Sequence, residues 1–191
     1  MLVLPALFDE ANKLRRLTVE AMRRLDAAGI DAVLPDLPGC NESLRPLSDQ
    51  TLEHWREAAR AAAAHFGATH VLALRGGALV APSDLPGWAY APVAGRQILR
   101  AMLRARTITA REAGREETID GIQATARAEG IELAGWALGP AMFTQLEAGE
   151  PDGALTTLEI AGAGLWLRAE PDESRAQAEA LAAAVVAGIG A

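Results

Sequence analysis

Short β-like apolar runs alternate with longer stretches of helical periodicity along most of this chain, and glycine or proline punctuates the joins. That alternation restricts the fold to an α/β domain with a largely parallel sheet, because one parallel strand follows another only through a crossover, usually a helix. LVLPAL, from residue 2, is the first expected strand. A helix is expected over Asn12 to Ala28, where Leu14, Leu17, Ala21 and Leu25 recur at spacings of three and four, and Gly29 stops it. DAVLPDL reads as the second strand and PGCNES as an irregular turn. Ser48 or Asp49 is the expected cap of the next helix, QTLEHWREAARAAAAHFGA, whose alanines favour the state and which Gly67 ends.

THVLALR is the third and most apolar strand, as one buried on both faces should be. Gly76 and Gly77 then turn the chain, and Pro82 and Pro86 cut short the helix that should follow before GWAYAPV forms a fourth strand. Helices are expected over Gly95 to Gly114 and Glu116 to Glu129, then IELAGWAL as a strand or extended edge and a short helix at AMFTQLEA. LTTLEIA and GLWLRAE are the last two strands, and DESRAQAEALAAAVVAGI is a C-terminal helix capped by Asp172 or Ser174. With 191 residues, half of them hydrophobic, the chain suits a single domain over 1–191.

Charge narrows the partners. Eighteen Lys+Arg against 25 Asp+Glu give a formal charge of −7, which argues against nucleic acid. The basic islands NKLRR and LRAMLRARTITAR read as solvated helix faces. A single cysteine, Cys40, excludes an internal disulfide framework and fits a reducing, cytoplasmic setting. MLVLPALFDE is too short and too quickly acidic for a signal peptide. The apolar tail ALAAAVVAGIGA has about a dozen residues where a membrane span needs about 20, so no membrane span is expected.

The chemistry concentrates at THVLALRGGALVAP. A strand entering a helix through a tight turn strains its apex residue and needs small neighbours, which Ala73, Gly76 and Gly77 supply. Set on the nucleophile-elbow pattern G-x-S-x-G, the apex is Arg75 and the first glycine is alanine. A triad also needs a histidine after the last strand, but His54, His65 and His70 all precede the apex, and LRAEPDES stands where the base would be. No catalytic residue is therefore assigned. Arg75 admits two readings: an anion site built with the amides of Gly76 and Gly77, or an internal ion pair with Asp9, Glu10 or Asp36.

Other candidates are weaker. Cys40 beside an acid lacks a histidine to activate it and reads as a small, half-buried thiol. His54 and His65, eleven residues apart in the chain, would sit about 16 Å apart on one helix, too far to share a metal. LRGGALV lacks G-x-G-x-x-G spacing, so neither a dinucleotide nor any other cofactor is assigned, and no metal. Trp88, Tyr90, Trp136 and Trp166 fall at strands or strand ends as core or pocket lining. Ala178, Leu181, Val185 and Ile189 share a face of the last helix for packing on the sheet.

LPALFDEANKLRRL, LPDLPGCNES, LALRGGALVA, YAPVAGRQILRAMLRAR and ELAGWALGPAM occur in this order across most of residues 2 to 145. Together they resemble the exosortase A system-associated hydrolase 2 family of α/β-hydrolase-like proteins. The resemblance implies a three-layer α/β-hydrolase-like fold with a mostly parallel central sheet, shortened at its N-terminal edge, and a bacterial exopolysaccharide and protein-sorting setting. The matching positions are Glu10, Asn12, Lys13, Arg15, Arg16, Asp36, Gly39, Cys40, Ser43, Arg75 and Gly77. The chain departs from the family pattern in beginning at what would be the third strand, in the short segment between Gly77 and Trp88, and in Asp9 replacing the first of two glutamates. A sheet without its first strands leaves an edge for a homodimer.

The expected function is ligand binding, or an accessory role in the polysaccharide system, on a hydrolase fold that lacks the triad. The expected binding residues are Glu10, Asn12, Asp36, Cys40, Arg75, Gly76 and Gly77, and the expected partner is a small anionic ligand. An active hydrolase with an unconventional site and a purely structural partner protein stay open as alternatives.

Overall fold

In the computed structural model, which describes residues 1–151 and 153–190, four short strands form one parallel sheet: β1 (Leu2–Leu4), β2 (Val71–Leu74), β3 (Gly87–Tyr90) and β6 (Thr156–Leu158), side by side in that order. Leu2 lies opposite Val71, Leu74 opposite Tyr90 and Tyr90 opposite Leu158. On the other side of β1, Val33 makes a single parallel bridge to Leu2. The second extended segment thus lies outside the first and the third lies inside it. The direction of winding reverses at β1, and the carboxyl ends of the strands at such a reversal form a ready crevice.

Among the described residues there are six helices, α1 (Asp9–Ala27), α2 (Leu52–His65), α3 (Gly95–Glu112), α4 (Ile119–Glu129), α5 (Pro140–Ala148) and α6 (Arg175–Ile189), of which α4 packs on α5, α3 and the short strand Ile131–Leu133 rather than on the sheet. Alternation along the strands divides the core. Val3, Leu72, Leu74, Trp88 and Tyr90 face one way and meet Leu14, Leu17, Ala21 and Leu25 of α1 with Ala178, Leu181 and Val185 of α6. Leu2, Leu4, Val71, Ala73 and Ala89 face the other way, toward α2, α3 and α5. The sheet is therefore sandwiched between helices, as the α/β pattern requires. Ile189, expected to pack with the others on α6, is 37% exposed.

Several local expectations hold and several are corrected. Gly29 and Gly67 follow α1 and α2 with φ of 81° and 60°, the left-handed turn that glycine allows. Ser174 caps α6, accepting from the amide of Gln177. The cap of α2 is Thr51 rather than Ser48 or Asp49, which instead belong to a 3-10 turn over Leu47–Asp49. DAVLPDL contributes only the Val33 bridge, since Pro35 has no amide to extend a ladder. IELAGWAL is a hairpin, β4 (Ile131–Leu133) and β5 (Trp136–Leu138), joined by Ala134 and Gly135 at φ of 50° and 82°. GLWLRAE is no strand: Leu165–Leu167 is a 3-10 turn in which Leu165 is buried and Leu167 is 79% exposed, which alternate faces of a strand would not give. Among the described residues no helix is long and apolar enough to cross a membrane.

Candidate functional site

Three neighbouring strands end at the same rim, and each is turned there by a non-glycine residue with positive φ: Phe8 (55°) after β1, Arg75 (52°) after β2 and Ala91 (46°) after β3. Such conformations cost on the order of 1–3 kcal/mol each and persist only where the surroundings enforce them. At Arg75 the enforcement is visible. Its Nε and one terminal nitrogen donate to the two carboxylate oxygens of Glu10, both at 2.9 Å, and the other terminal nitrogen donates to the carbonyl of Ala91 at 2.9 Å. The guanidinium also lies 4.2 Å from the ring centre of Trp166. One side chain, only 12% exposed, thereby ties together the ends of all three strands.

Glu10 is thus the partner among the three acids expected for Arg75. Asp9 pairs instead with Lys13, one helical turn on, at 2.8 Å. Asp36 stays within its own loop, accepting from the side-chain amide of Asn41 at 2.8 Å and from the amide of Glu42 at 3.4 Å. The glycines after Arg75 serve packing. A Cβ on Gly76 would stand 2.9 Å from Leu7 and Ile98, and one on Gly77 would stand 2.6 Å from the carbonyl of Pro5. The turn that follows is a 3-10 helix of five residues, Arg75–Leu79, with Gly76 and Gly77 buried. A bidentate carboxylate and a carbonyl therefore occupy each nitrogen of the guanidinium where an anion was expected.

A cavity of about 230 Å³ opens beside this tie, outside the carboxyl ends of β1 and the Val33 segment. The loop after β1 and the first two turns of α1 form one wall, with Phe8, Asn12 and Arg15; the loop of Asp36, Cys40 and Asn41 forms the other. Trp55 of α2 and Trp136 of β5 complete it, with ring centres 5.5 and 5.7 Å from that of Phe8. Internal bonds hold the second wall. Trp55 Nε1 donates to the carbonyl of Pro38, and Ser43 Oγ accepts from the amide of Gly39. Burial, helped by the Asp36 carboxylate, pushes the Cys40 thiol up to about 11, so it is protonated and a poor nucleophile at neutral pH.

The residues expected to act together are thereby split. Asn12, Asp36 and Cys40 line the cavity; Glu10 and Arg75 form the tie at its side; Gly76 and Gly77 are packed beneath and do not line it. The expected binding residues left out Phe8 and Asn41, and Arg15 entered only as a position matched by the family resemblance, although Asn12 and Arg15 stand one helical turn apart toward one face. The histidines lie elsewhere. His54 and His65 are exposed on α2, and His70 precedes β2 at the amino end of the sheet, stacked on Trp88. Among the described residues no group of three His, Cys, Asp or Glu is placed to hold a metal ion. Set against known proteins, the chain matches no family model, and no curated protein matches it.

Proposed function

We propose that this chain is a ligand-binding or accessory protein on a hydrolase-like α/β scaffold that lacks the Ser-His-acid triad, and that its ligand is a small molecule seated in the cavity beside β1. One observation carries the reading: at the turn where such a scaffold would present its nucleophile stands Arg75, its guanidinium closed by Glu10 and the Ala91 carbonyl. A nucleophile is missing there, and the histidines lie on α2 and at the opposite end of the sheet. The strand order is that of a mostly parallel α/β sheet, which such a scaffold also has, and the motif resemblance to the exosortase-associated family supports a setting in a bacterial exopolysaccharide and exosortase system. The anionic ligand expected at Arg75 is reassigned to the neighbouring cavity, whose walls come from the rim of a sheet at its winding reversal.

The test combines turnover and occupancy. p-Nitrophenyl acetate and butyrate should be hydrolysed no faster than in buffer, while a fragment screen by ligand-observed NMR should give hits that vanish in Ala11→Phe, which fills the cavity wall. Ester turnover lost in Cys40→Ala or Asp36→Asn would restore the hydrolase reading. Absence of hits that depend on the cavity would leave the structural-partner alternative, to which the closed Arg75 tie already conforms.

A further inference from the structure

The cavity wall carries a charge that the protein leaves unanswered. Among the described residues, Lys13 and Arg16, which do not line the cavity, are paired, with Asp9 and with Glu20 and Glu173. Among the described residues the side chain of Arg15, which lines the cavity between them in sequence, makes neither a hydrogen bond nor an ion pair, and neither does that of Asn12 one turn earlier. Five other arginines share this lack of an ion pair among the described residues, Arg45, Arg100, Arg104, Arg111 and Arg175, but of the six only Arg15 lines this cavity. The start of α1 adds to the same polarity, since Phe8 at its N-cap offers no side-chain acceptor to the first amides.

Three further features limit what can answer that charge. Phe8, Trp55 and Trp136 give the interior an aromatic, apolar lining. A volume of about 230 Å³ exceeds the roughly 150 Å³ that holds a benzene molecule by about the room for a short polar arm. Asp36 on the opposite wall, with a chain charge of −7 behind it, opposes a second negative charge on the ligand and leaves lone pairs for a donor. Resting on the binding reading above, we propose that the cavity takes a monocarboxylate with a single-ring apolar body: the ring against Trp136 and Phe8, the carboxylate on the guanidinium of Arg15 and the amide of Asn12.

Titration of the full chain with phenylacetate, its neutral isostere phenylacetamide and the dianion phenyl phosphate, followed by tryptophan fluorescence and calorimetry at pH 7.5, tests this. Phenylacetate should bind at least tenfold more tightly than phenylacetamide, and phenyl phosphate more weakly than phenylacetate. Arg15→Gln should erase the preference for phenylacetate over phenylacetamide while the melting temperature stays within 1 °C or so of the parent, as for an exposed surface change. Equal binding of acid and amide overturns the carboxylate assignment and leaves the cavity as a binding site. Tighter binding of phenyl phosphate replaces the carboxylate by a phosphate. Failure of all three probes while cavity-dependent fragments still bind overturns the ligand class alone, whereas failure of both sinks the binding reading as well.

Discussion

Arg75, at the end of β2, and Arg15, on α1, show two fates of the same side chain. Arg75 is 12% exposed, held at φ of 52°, and has each guanidinium nitrogen engaged within the protein. Arg15 is exposed at a cavity wall and has no partner among the described residues. Burial explains the difference: a guanidinium removed from water needs its charge and donors answered internally, and one left at the surface does not. The conspicuous arginine, the one on the elbow-like turn, is thus architectural. The inconspicuous one, in the middle of a basic run on α1, is the one available to a ligand.

The largest expected effect breaks the first half of this contrast. Arg75→Ala strands the Glu10 carboxylate, 22% exposed, and releases the Ala91 carbonyl and the face of Trp166. Loss of one member of such a pair costs about 3–5 kcal/mol. Urea unfolding should show a loss of stability of that size, read from the midpoint and slope together, and a loss below about 1 kcal/mol would mean that the three strand ends hold together without the tie.

A smaller effect is expected at the glycine that lets the strand ends meet. A Cβ at Gly77 would stand 2.6 Å from the Pro5 carbonyl and 2.7 Å from that of Leu4, and both obstacles are backbone. Gly77→Ala must therefore move the end of β1, at a cost of about 1–3 kcal/mol for overpacking. Because β1 leads directly into the cavity wall, the same variant should also weaken cavity-dependent ligand binding, read in the NMR titration. A stable variant with unchanged binding would uncouple the tie from the cavity.

The parts that sequence disclosed best were those where one local rule decided the outcome. α1 and α6 follow their three-and-four spacing, Gly29 and Gly67 stop helices, and the apolar run of β2 lies at the centre of the sheet. The acid that pairs with Arg75 was not decidable locally: Asp9, Glu10 and Asp36 were equivalent until Phe8 fixed where α1 begins, which directs Asp9 to Lys13 and Glu10 to Arg75. The cavity was hidden for a similar reason. Its walls come from α1, the loop of Asp36 to Asn41, α2 and β5, and Trp136 reaches it only because Ala134 adopts a left-handed turn that alanine seldom takes. In GLWLRAE the alternation imitated a strand, but Trp166 packs on Arg75 and Tyr90 instead. A tertiary contact overrode the pattern.

Cys40 offers the mildest test, and it reports on the cavity side of the contrast. Its thiol is raised from an ordinary value of 9.0 to about 11, first by burial and then by the Asp36 carboxylate. The protonated form is thus the one the fold favours, so this contribution to stability is complete below pH 9 and is lost as pH rises from there through about 11. At pH 8 a two-unit elevation leaves about a hundredfold less thiolate than an ordinary cysteine has, so iodoacetamide should label the native chain far more slowly than the urea-unfolded one. Asp36→Asn should move the labelling profile to lower pH by less than the full elevation, because burial is the larger cause. Phenylacetate at a concentration that just saturates the parent should slow labelling further in the parent and slow it less in Arg15→Gln. Rapid native labelling at pH 8 would show that water and reagent reach the thiol freely, and the wall of Asp36, Cys40 and Asn41 would then be open on the timescale of the reaction rather than closed against Trp55.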